Sequence, residues 1–134
     1  MSNTSAADTY RHAIQQLLAR FIHAVQQQPP FIDDDGDEDA LQYLQQLESL
    51  PRLNGTDYAE TGQLVMCRTI AAYPHLTPLL PRDLLWHFGG DCLHYMPDEE
   101  IELFQRLDER LHDAIHSQGS FDYEQERTKV LGLH

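Results

Sequence analysis

Apolar positions recur at helical spacing in each long segment of the chain, and no stretch shows the sustained alternation with β-branched residues that marks a strand. The first segment is the clearest. At roughly 100° per residue, Tyr10, Ile14, Leu17, Leu18, Phe21, Ile22 and Val25 fall within one arc, widened by Ala13 and Ala24, while His12, Gln15, Gln16, His23 and Gln26 lie opposite. So broad a stripe packs against more than one neighbour and is wide enough to support a homodimer. Asp8 is the expected N-cap and Pro29-Pro30 the expected stop, because proline disfavours α geometry in the residue before it.

A second helix is expected from about Asp37 to Leu50 with Leu41, Leu44 and Leu47 on its apolar side. The third opens on a capping box, Asp57 with Glu60, and runs through Leu64, Val65, Met66, Ile70 and Tyr73 to Pro74. Thr77-Pro78 and Pro81 mark further helix starts, the second leading a short helix to Phe88 that turns Leu84, Leu85, Trp86 and Phe88 inward. The last long helix spans about Pro97 to His116, with Ile101, Phe104, Leu107, Leu111 and Ile115 as its core stripe. The pattern therefore predicts an all-α, single-domain bundle of about five helices over residues 1–118, with a flexible acidic loop. Residues 119–134 read as a polar C-terminal tail, docked or disordered, because Phe121, Tyr123, Val130, Leu131 and Leu133 are irregularly spaced.

Length changes this picture little: a chain of 134 residues buries roughly two thirds of its unfolded surface and needs no disulfide or metal to fold. Charge changes it more. The 22 Asp and Glu against 9 Lys and Arg give a formal charge of −13, which argues against direct nucleic-acid binding and against anionic membrane surfaces. Solubility accounts for that sign, and a basic protein partner fits it as well. No apolar run reaches membrane-spanning length and the N-terminus carries no secretory signal, so a cytoplasmic location is expected, with Cys67 and Cys92 reduced and Cys67 serving packing.

The acid tract holds Asp33, Asp34, Asp35, Asp37, Glu38 and Asp39 with no base nearby. It fails as a calcium loop: setting its glycine at Gly36 places Phe31 and Gln42 where the two end ligands belong. It reads as a solvated turn whose last acids sit at the positive end of the next helix, and secondarily as an adventitious cation site or an acidic docking patch.

In the stretch GGDCLHYMPDEE, Gly89-Gly90 supply a left-handed helix end, and Pro97 with Asp98, Glu99 and Glu100 opens the next helix. Asp91, Cys92 and His94 remain as a polar cluster. Residues two apart on a helix do not face each other and the nearby carboxylates oppose a thiolate, so a structural histidine and a buried cysteine are favoured over a reactive pair. His87, Asp91 and His94 would share a face only if the helix ran through the double glycine. The best metal-ligand spacing is Asp108, His112 and His116, one turn apart on the last helix, although eight histidines make such a pair unsurprising.

No phosphate loop, nucleophile elbow, CxxC or internal repeat is present. The expected function is that of a small acidic interaction or regulatory protein with a protein partner and no cofactor. One alternative is a hydrolase-like enzyme using a divalent transition metal on the His/Asp residues. A further one is an acidic inhibitor that mimics nucleic acid.

Overall fold

The computed structural model describes residues 5–33 and 36–132, and among these the chain is helical with no strand. The helices are α1 (Ala6–Gln26), α2 (Glu38–Ser49), α3 (Gly55–Ala72), α4 (Arg82–Phe88), α5 (Asp98–Ser117) and α6 (Tyr123–Leu131). Short 3₁₀ segments occupy Leu50–Arg52, Pro74–Leu79 and Gly90–Tyr95. The all-α expectation holds, with six α-helices rather than five among the described residues. The described residues form two compact units, one of residues 5–15 with 95–132 and one of residues 16–33 with 36–94.

In the first unit the extra helix is α6, which packs on α5. Its periodicity is weak, but its ends are well specified. Asp122 accepts a hydrogen bond from the Gln125 N–H at 3.1 Å, Gly132 closes the helix with φ 67°, and Phe121 and Tyr123 are buried. Tyr123 meets Tyr10 edge to face with centroids 5.6 Å apart, and Glu126 pairs with Arg110 of α5. On α5 itself Phe104, Leu107 and Leu111 are buried as the stripe predicts, whereas Ile115 is 39% exposed because it lies in the last turn. The N-cap of α1 is Ser5 and not Asp8: the Asp8 N–H donates to Ser5 Oγ at 3.1 Å, leaving the Asp8 carboxylate to pair with Arg11 at 2.9 Å.

The second unit is organised around α3, which packs against α2, α4 and the segments at 50–52 and 74–79. Its first turn starts at Gly55, two residues before the expected box, so Asp57 lies inside the helix and Asn54 precedes it without a side-chain cap. The buried face of α3 is Gly62, Val65, Met66 and Thr69, and Leu64 is 48% exposed. Helix α2 buries Ala40, Tyr43 and Leu47, with Leu50 beyond its end, so its inward face is rotated away from Leu41. Leu84, Leu85 and Phe88 of α4 are buried as expected, and Trp86 is only partly so.

Gly62 allows α3 and α4 to approach. A Cβ there would overlap Phe88 Cε1, far inside contact distance. Gly62→Ala is expected to cost about 2 kcal/mol by overpacking, read as a lower urea midpoint at unchanged m-value. Phe88→Leu in the same chain should return part of that loss; additive costs in the double variant would show that the close approach is not the cause.

Both glycines after α4 have positive φ, 64° at Gly89 and 60° at Gly90. They end the helix and turn the chain back, so that Gly90 abuts Gln63 of α3, whose Nε2 donates to Phe88 O at 2.9 Å.

Candidate functional site

Helix α1 unwinds into successive turns in which the Phe31 and Ile32 N–H groups both donate to Gln28 O, at 2.8 and 2.9 Å. The turn is anchored from two sides. His75 Nε2 donates to Pro29 O at 2.8 Å, and the Phe31 ring packs against Tyr43 and Tyr73 at centroid distances of 5.4 and 5.2 Å. The chain re-enters a helix at Asp37, whose carboxylate accepts from the Ala40 N–H at 2.8 Å. Between this turn and the start of α2 lies a groove of about 240 Å³, open to solvent and lined by Pro30, Phe31, Asp33, Gly36, Ala40, Leu41 and Leu44.

Its floor is apolar and its surroundings are acidic. Leu41 is 56% exposed and Ile32 53% exposed, the two most exposed large aliphatic side chains among the described residues. Asp33 lines the groove, Ile32 is next to two lining residues in the chain, and Asp33, Asp37, Glu38 and Asp39 of the acid tract are all exposed in the segment that leads into Leu41. Asp34 and Asp35 of the same tract lie outside the described residues. Arg68 on α3 ties the start of α2 down, donating to Gln46 Oε1 at 3.0 Å and to Asp39 O at 3.1 Å while its guanidinium covers the Tyr43 ring.

Beneath the groove, Tyr43 is fully buried and its hydroxyl lies 2.6 Å from Thr69 Oγ1. Thr69 donates its own proton to Val65 O at 2.8 Å, so Tyr43 is the donor in that pair. Burial pushes the Tyr43 phenol up to about 12, and burial also raises Tyr73.

The residues of the GGDCLHYMPDEE stretch are separated by the fold. Cys92 points inward and is fully buried, while Asp91 and His94 are exposed. His87 lies before the double glycine, with Nε2 2.9 Å from the Tyr58 hydroxyl. Desolvation lowers its pKa to about 4. The Asp108, His112 and His116 ladder is present on α5, where Asp108 is partly buried and both imidazoles are exposed. Among the described residues no group of three or more His, Cys, Asp or Glu side chains is placed to hold a metal ion.

One juxtaposition escaped the sequence pattern altogether: Cys67 Sγ of α3 lies 3.8 Å from Cys92 Sγ. The cysteines are 25 positions apart and neither belongs to a motif, so only the packing of α4 and its following turn onto α3 reveals them. Burial is the main cause pushing the Cys92 thiol up to about 12, with Cys67 beside it second.

These features define an all-α protein with an acid-rimmed apolar groove on one helical unit, and no helix among the described residues is long and apolar enough to cross a membrane. The chain belongs to the PA2817-like family, which it matches over residues 4–134. No curated protein and no solved structure matches it.

Proposed function

We propose that this protein is an interaction protein whose groove beside the start of α2 receives a basic amphipathic segment of a protein partner. The observation that carries this reading is the pairing of exposed Leu41 and Ile32 with the exposed carboxylates of Asp33, Asp37, Glu38 and Asp39. Apolar side chains exposed beside one sign of charge suit a ligand with an apolar face flanked by the opposite sign. The groove is smaller and more open than the roughly 300–1,000 Å³ clefts that enclose small molecules. It is wide enough for one or two partner side chains. The formal charge of −13 adds long-range attraction for a basic partner.

A synthetic helical peptide with lysine on one face and leucine on the other provides the probe. Titration should give saturable binding that weakens with salt, with backbone resonances of Ile32, Leu41 and Leu44 shifting most. Leu41→Asp keeps the acidic field and removes the apolar anchor, and should weaken binding about tenfold or more. Equal binding by Leu41→Asp, or shifts confined to another surface, would reject the groove. Self-association that Leu41→Asp abolishes would give the groove to a second copy of the chain instead.

A further inference from the structure

The geometry points to Cys67 and Cys92 as a dithiol that closes, under oxidising conditions, to an intramolecular disulfide linking α3 to the 3₁₀ segment Gly90–Tyr95. Several anchors hold the two sulfurs where they are. Phe88 packs over Gly62, Gln63 Nε2 holds Phe88 O at 2.9 Å, and Gly90 lies against the Gln63 side chain, all within two turns of Cys67 on the same helix. Cys92 Sγ also contacts Gln63 O at 3.6 Å. The sulfurs stand 3.8 Å apart, and a disulfide bond of about 2 Å requires them to approach by a little under ~2 Å, within reach of side-chain rotation and small backbone adjustment.

The two thiols differ in access, which sets the order of events. Cys67 is partly exposed and Cys92 is fully buried. A hydroperoxide therefore meets Cys67 first. The Cys67 thiolate attacks the terminal peroxide oxygen, the O–O bond breaks, and the alkoxide or hydroxide leaves and takes up a proton, giving Cys67 sulfenic acid. Cys92 then gives up its proton and attacks the Cys67 sulfur, forming the S–S bond and expelling hydroxide, which becomes water. Two thiols are oxidised by two electrons in all, and one peroxide is reduced to water and an alcohol or a second water. Burial holds Cys92 as the thiol, so the second step is slow compared with that of an exposed resolving cysteine. Thiol reductants reverse the sequence by attacking Cys67 sulfur, the more accessible of the two. The closed loop spans 25 positions and restricts the unfolded chain, so the oxidised protein should be the more stable form.

The test uses the full chain treated with hydrogen peroxide over a range of times, then alkylated and mapped under non-reducing conditions. A monomeric Cys67–Cys92 linked peptide is expected, with loss of two hydrogens from the intact mass and return of both thiols on reduction. The oxidised protein should melt several degrees above the reduced one, and Cys67→Ser should abolish both the link and the shift. Mapping of the wild-type chain decides the matter even if a cysteine variant folds poorly. Sulfinic or sulfonic acid at Cys67 with Cys92 still a free thiol, or disulfides only between molecules, would overturn the proposal.

Discussion

Tyr43→Ala should destabilise the protein by about 4 kcal/mol, the range for removing a fully buried aromatic side chain from a packed core. Tyr43 packs against Phe31 at 5.4 Å and Tyr73 at 4.8 Å, and its hydroxyl donates into the Thr69–Val65 chain. Tyr43→Phe separates the two contributions. It keeps the ring contacts and loses one hydrogen bond whose acceptor, Thr69 Oγ1, still has its own proton placed on Val65 O, so it should cost only about 1 kcal/mol. Equilibrium urea unfolding of the two variants measures both. A Phe variant nearly as unstable as the Ala variant would show that the hydroxyl, and not the ring, holds this region together. Phe31 forms one wall of the groove and leans on Tyr43, so at temperatures where Tyr43→Ala remains folded its binding of the basic peptide should also fall.

Acidification should remove about 3 kcal/mol of stability through His87 alone. The folded-state pKa of about 4 lies below the ordinary 6.5, so the unfolded chain takes up the proton first. Above pH 6.5 the imidazole is neutral in both states and the group contributes no pH dependence. From there the unfolded state gains with each step down in pH, and the loss is complete once the pH is below about 4, where the folded form is protonated as well. The cause is removal of the ring from water beside Tyr58 and Phe88, with the Tyr58 hydroxyl at 2.9 Å. In urea titrations across this range, His87→Gln should be the less stable protein at pH 7, for loss of ring packing, and should gain on the wild type as the pH drops. Parallel stability profiles for the two proteins would mean that His87 is as well solvated folded as unfolded.

Much of the helical framework is legible in the residues. Ile14, Leu18, Phe21 and Val25 recur at the spacing of one face and are all buried, and Phe104, Leu107 and Leu111 do the same on α5. Asp37 caps α2 where the acid tract meets the helix, and the double glycine takes positive φ where α4 must end. The failures have definite causes. Ser5 displaces Asp8 as a cap because both are good capping residues and periodicity does not choose between them. Helix α6 escapes the pattern because its few apolar residues cluster at its ends, while its support comes from Arg110 and Tyr10 far away in the chain. Leu41 shares the spacing of the apolar side of α2, yet Ala40 and Tyr43 face the interior and leave Leu41 at the groove.

Local chemistry by itself determined the class of fold, the helix starts and stops written in proline, glycine and capping residues, and the formal charge of −13. Those properties depend on neighbours within a turn or two, or on a simple sum of charges. The tertiary structure decided the rest: an apolar groove among the carboxylates, the meeting of Cys67 with Cys92 across 25 positions, and the burial of His87 against Tyr58 across 29. Each of these depends on how one helix is rotated against another. That rotation decides which side chains face the core and which the rim, and it depends on the volumes of residues such as Gly62 and Phe88, which meet only when the chain is folded.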